Sequence, residues 1–154
     1  KWLLDHLGDG FRAAFDGKTL DGWAGAVDDY EVTDGAIVCK PKRGGVLFTT
    51  ETFADFVAVV EYKVPPGGNN GLAVRYPGSG GPSSVAMCEV QVLDDDAPRY
   101  AKLDPRQYTG SAYGMAAPVR GYGRPAGEWN VMQVTARGHR LEVELNGSPI
   151  LDAD

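Results

Sequence analysis

The chain has 154 residues, enough for one domain with a sizeable core, and 43% of them are hydrophobic, which excludes an intrinsically disordered segment. Twenty-one glycines and ten prolines argue against a helical protein and suit short strands joined by many turns (Gly 21, Pro 10). A formal net charge of -6, spread along the chain, excludes nucleic acid and anionic membrane surfaces as natural partners and leaves a neutral ligand such as a sugar as the better fit.

The opening "KWLLDHLG" is too short and too charged for a signal peptide but compatible with a mature N-terminus, and no stretch is long enough to span a membrane. "AIVCK" and "GVLFTT" are the first short strand candidates. "DFVAVVEYKV" alternates strictly, with Phe56, Ala58, Val60, Tyr62 and Val64 on one face and Glu61 and Lys63 on the other. "GLAVRYP" points Leu72 and Val74 inward and Arg75 away. "MCEVQVL" sets Cys88, Val90 and Val92 against Met87, Glu89, Gln91 and Leu93. Ala97–Val119 has weak periodicity and many tyrosines, and is expected to form a long ordered loop across a face. "WNVMQVTARG" buries Met132, Val134 and Ala136. "HRLEVELNGSPIL" buries Leu141, Val143 and Leu145, then turns at Asn146-Gly147, a type I′ pair that tolerates positive φ. The fold class is all-β, an antiparallel sandwich or barrel.

Cys39 and Cys88 each sit among apolar neighbours and are expected as buried thiols rather than a disulfide framework. Two histidines and no closely spaced cysteine pair argue against a structural zinc site. Trp23 and Trp129 are expected in packing roles, Asn130 of "GEWN" on backbone groups, and His139 exposed beside a hairpin. Trp2 is left unassigned.

"GFRAAFDGKTLDGW", "YEVTDGAIVC", "GGVLFTTETFADFVAVVEYKVPPGGNNGLAVR", "CEVQVLDD", "YTGSAYGM" and "RPAGEWN" occur in this order. Together they resemble the 3-keto-disaccharide hydrolase domain family, from about Gly10 to the end. Residues 1–9 are then an N-terminal extension and 10–154 the domain. The resemblance implies a concanavalin A-like jelly roll, two curved sheets with a sugar cleft on the concave side, and a periplasmic or extracellular bacterial enzyme. Family members continue past the "NG" hairpin with further strands and a histidine. The expectation is therefore a domain lacking its C-terminal strands here, completed by another segment or a second chain.

In that fold Glu89 and Gln91 face the cleft, and Arg75 on a neighbouring strand would hold Glu89 ionised. Laminarinase-type hydrolases carry Glu-x-Asp-x-Glu, or a bulged form with one extra residue. "EVQVLD" resembles the bulged form with Gln91 and Asp94 replacing acids, which weakens the two-carboxylate geometry that retaining hydrolysis needs. The chemistry the resemblance implies needs less: one base to remove the acidified C2 hydrogen of a 3-keto-glycoside, an enolate stabiliser and an acid for the departing oxygen. Glu89 is the catalytic candidate, Arg75 or a bound cation the stabiliser, and Tyr113 or Tyr108 the acid. Gln91 and Asn70 complete the substrate-binding set. Asp94, with Asp95 and Asp96, is read as a solvated turn, with a divalent cation such as calcium as the alternative cofactor. A non-catalytic carbohydrate-binding module on the same sandwich is the alternative function.

Overall fold

The computed structural model describes residues 7–154; the first six residues, with Trp2, lie outside the described part. The chain forms two compact units, one up to Thr52 and one from Phe53 onward. No described helix is long and apolar enough to cross a membrane.

The first unit holds two small antiparallel ribbons. Strand β1 (Trp23–Gly25) pairs with β4 (Leu47–Thr49), and β2 (Tyr30–Thr33) with β3 (Ala36–Cys39). Asp34 and Gly35 close the second hairpin at φ 52° and 76°, the paired positive values of a type I′ turn. The Trp23 indole N–H donates to the Ala14 carbonyl at 3.1 Å, and the Tyr30 hydroxyl to that of Gly45 at 2.6 Å. Both thiols are free, but Cys39 is exposed rather than buried, so that expectation holds only for Cys88. Cys39 ends a two-stranded ribbon whose outward side meets solvent.

The second unit is an antiparallel β-sandwich. One layer is a four-stranded sheet in the order β10 (Ser148–Ala153), β9 (Arg140–Leu145), β8 (Asn130–Arg137), β5 (Phe56–Tyr62). The other is built on β6 (Asn69–Val74) paired with β7 (Cys88–Leu93), after a single helical turn at Pro82–Val85. Val74, Cys88, Val90 and Val92 from the second layer meet Met132, Val134, Ala136, Leu141, Val143 and Leu145 from the first in one core. Burying each large aliphatic side chain contributes about 1.5–3 kcal/mol, so this alternation is what sets both registers. Register slips between Pro149 and Leu151, and the bulge lets consecutive Ile150 and Leu151 both enter the core.

Asn146 and Gly147 turn β9 into β10 at φ 51° and 83°. The Asn146 amide accepts from Val131 N–H at 3.0 Å and donates to Tyr122 O at 2.7 Å and Asn130 Oδ1 at 2.9 Å. Asn130 in turn accepts from Arg124 N–H at 2.8 Å, the backbone-fixing role expected of it. Trp129 is 45% exposed, with Lys63 Nζ 5.1 Å above its ring, so it belongs to the surface. His139 is exposed.

Candidate active site

Strand parity places Glu89 and Gln91 on the face of β7 turned away from the core. Cα pairing with β6 brings Ala73 opposite Glu89 and Gly71 opposite Gln91. Glu89 leans across the ribbon. A Cβ added to Gly71 would stand 2.1 Å from Glu89 Oε1 and 2.6 Å from its Cγ, so the carboxyl lies flat on the bare backbone of β6. Partial burial pushes the Glu89 pKa above the usual carboxylate range, and no neighbouring charge offsets this.

On its other side β7 is flanked by the segment that the sequence reading makes an ordered loop. Val90 bridges Ala112; Gln91 N–H donates to Ser111 O at 3.1 Å, Gly110 N–H to Gln91 O at 2.8 Å, and Tyr113 N–H to Glu89 O at 2.8 Å. Two residues, Gly110 and Ser111, thus oppose Gln91 in a bulge, with Gly110 at φ 85°. Ala112 enters the core beside Val90. Tyr113 then opens the turn between Ala112 and Ala116, with its backbone N–H held on the Glu89 carbonyl. Further along, Leu93 packs on Ala97, Tyr100, Leu103 and Tyr108, so this end of the face is sealed by a second small core.

The structure separates the expected site residues. Gln91 is there but only 4% exposed, its amide nitrogen donating to Asn69 Oδ1 at 3.4 Å. Asn69, not Asn70, therefore shares the face with Glu89; Asn70 lies at the opposite parity, across from Val92, and its Oδ1 accepts from Gly71 N–H at 2.8 Å. Ser111, completely buried beside Gln91, has a hydroxyl without a hydrogen-bond partner.

Arg75 does not join Glu89. Its φ is 55°, a left-handed turn that ends the alternation of β6 one residue early. The guanidinium binds Asp55 Oδ1 at 3.0 Å, Ala54 O at 2.7 Å and Gly138 O at 2.5 Å, clamping the end of β6 to the start of β5 and the β8–β9 turn. Met87, expected on the Glu89 face, precedes β7 and packs on the main core instead, with its sulfur 3.2 Å from Arg75 Nη1.

Tyr108 is not available as the acid. It is buried, donates its hydroxyl proton to Tyr100 O at 2.9 Å, and carries the Arg120 guanidinium 3.5 Å above its ring. Tyr113 is half-buried, and its hydroxyl accepts from Gln107 Nε2 at 2.7 Å. Asp94 accepts from Gly67 N–H at 2.7 Å, and Asp95 from Thr109 N–H and Oγ1 at 3.0 and 2.9 Å. These carboxylates pin turns rather than converge, and among the described residues no three His, Cys, Asp or Glu side chains are grouped to hold a metal ion.

Fold and site together define an antiparallel β-sandwich with Glu89, Gln91 and Asn69 on the outer face of the β6–β7 pair. Residues 10–154 match the model of the 3-keto-alpha-glucoside-1,2-lyase-like domain, and the chain belongs to that family. It is 32% identical over 151 residues to a 3-keto-disaccharide hydrolase of Bacteroides thetaiotaomicron, an alignment covering 82% of this chain and 52% of the relative. The chain thus spans about half the length of that curated relative. A crystal structure of a candidate glycosyl hydrolase from Parabacteroides distasonis superposes with a TM-score of 0.77 at 27% identity, over 93% of this chain and 71% of that one. A second from the same organism gives 0.73 at 23% identity, covering 87% and 67%, and shows the shared fold alone.

Proposed function

We propose that this protein cleaves 3-keto-glycosides by removing the proton at C2, with Glu89 as the base and Tyr113 as the acid. The observation that carries the reading is a half-buried carboxyl, its pKa raised by burial, on a residue whose backbone carbonyl accepts from Tyr113 N–H. A base works best when its pKa approaches the operating pH, and burial moves Glu89 that way. Family membership and the name of the Bacteroides relative support the same substrate class.

Each step balances within these residues and the substrate. The Glu89 carboxylate takes the C2 proton, and the C–H electron pair becomes the C2–C3 double bond of an enolate stabilised by the ketone. The enolate collapses, restoring the C3 carbonyl, forming C1=C2 and breaking the bond from C1 to the glycosidic oxygen. That oxygen leaves with the Tyr113 proton. Water then adds across C1=C2, its oxygen to C1 and its released proton to the Tyr113 phenolate, while protonated Glu89 returns a proton to C2, so both residues are regenerated and the net change is hydrolysis. With Gln91 donating to Asn69 Oδ1, the Asn69 amide nitrogen is the donor assigned to the enolate oxygen, the part for which Arg75, bound to Asp55, is unavailable.

The test is turnover of a 3-keto-disaccharide and its unoxidised parent by the full-length protein, with C2 deuterium exchange followed in heavy water. The expected result is cleavage of the oxidised sugar only, with exchange in the wild type and a loss of about 10²–10⁴-fold in Glu89→Gln. Equal activity on both sugars would overturn the mechanism. Binding of both without turnover of either would instead make the domain a carbohydrate-binding module.

A further inference from the structure

The Tyr113 hydroxyl has a neighbour with a fixed direction. Gln107 Nε2 donates to it at 2.7 Å, while the other end of the same amide, Oε1, accepts from Asp104 N–H at 3.1 Å. That second bond belongs to a capping box around Pro105–Gln107, in which Asp104 Oδ1 accepts from Arg106 N–H at 2.9 Å. A primary amide has one acceptor oxygen and one donor nitrogen. With the oxygen tied to a backbone N–H, which can only donate, the nitrogen must face Tyr113. A flipped amide would set donor against donor at Asp104. The phenol oxygen therefore accepts, and its own proton has to point elsewhere.

The backbone holds this arrangement on both sides. Tyr113 N–H donates to Glu89 O at 2.8 Å and Gly114 N–H to Arg106 O at 2.9 Å, which ties the capped turn to β7.

We infer that Gln107 is a positioning residue that commits Tyr113 to donate its proton to the departing glycosidic oxygen. This role rests on the reading of the face as a centre that cleaves 3-keto-glycosides. It concerns a residue that touches the acid and not the substrate.

Gln107→Glu separates the two functions of the side chain. A carboxylate oxygen still accepts from Asp104 N–H, as Glu and Gln do interchangeably in capping boxes, but it accepts from Tyr113 instead of donating to it. The full-length variant is assayed on two 3-keto-glucosides, one with an alkyl leaving group and one with a nitrophenyl group that departs without a proton. The expected result is a kcat loss of about tenfold or more on the alkyl substrate, with KM within about twofold, and a much smaller loss on the nitrophenyl substrate. The ratio of the two losses is taken within one preparation, so partial unfolding cancels from it. Tyr113→Phe, which leaves the cap intact, should show the same ratio. Equal losses on both substrates or an unchanged kcat on the alkyl substrate would overturn this role while leaving the cleavage reading standing. A wild type inert toward both substrates would overturn the cleavage reading and this role with it.

Discussion

Gly71 is where packing and chemistry are most directly coupled. Its φ lies outside the left-handed region, so alanine fits the backbone there, and the constraint is space alone. The new Cβ would stand 2.1, 2.6 and 2.7 Å from Oε1, Cγ and Cδ of Glu89, all below the 3.4 Å of ordinary contact. The carboxyl must lift by about 1.3 Å or swing out to another rotamer. Overpacking of this kind costs about 1–3 kcal/mol, against a gain of about 0.5–1 kcal/mol from replacing glycine by alanine inside a strand. Gly71→Ala is therefore expected to destabilise the wild type by about 0.5–2 kcal/mol and to stabilise Glu89→Ala, in which the obstructing side chain is gone. Urea unfolding of the four members of this cycle measures the coupling, expected at about 1–3 kcal/mol. The same effect of Gly71→Ala in both backgrounds, to within about 0.5 kcal/mol, would refute the placement of Glu89 over Gly71.

Two other predictions use the same residues. Arg75→Ala removes the clamp on Asp55, Ala54 and Gly138 and should lower stability by about 1–2 kcal/mol, less than a buried charged network because Asp55 is mostly exposed. NMR titration should find the Glu89 carboxyl unmoved in that variant, and a clear upward shift would restore Arg75 as its partner. For Glu89 itself the folded pKa exceeds the ordinary 4.5, so the native state holds the proton more tightly than the unfolded chain. Its contribution is then fully present below pH 4.5 and is lost as pH rises through the folded pKa. Glu89→Gln should accordingly be more stable than wild type at pH 7, with the difference vanishing below pH 4.5; a pH-independent difference in unfolding free energy would show that burial does not act on this carboxyl.

What the chain by itself determined is the set of faces. Alternation with period two in β5, β7, β8 and β9 assigns Val90, Val134 and Val143 to the core and Glu89 to the opposite side, because a slip of one residue would expose every apolar side chain at once. Asn146-Gly147 determined its hairpin for an equally local reason, since both residues accept positive φ. Where local geometry departs from the ideal strand, parity loses its hold. Arg75 leaves the face at a left-handed residue, and Ile150 joins Leu151 in the core through a bulge. Asn69 replaces Asn70 because the strand begins two residues before its apolar run, so the polar pair belongs to β6 rather than to a turn. Tyr108 and Tyr113 read alike in sequence; only packing against Tyr100 and Arg120 buries the first, and only a backbone bond to the Glu89 carbonyl ties the second to β7. Gln107 and Gly71 carried no sequence signal. One acts through a hydrogen bond to a tyrosine six residues away, the other through the space it leaves for a side chain on the next strand, and contacts of that kind exist only once the backbone has folded.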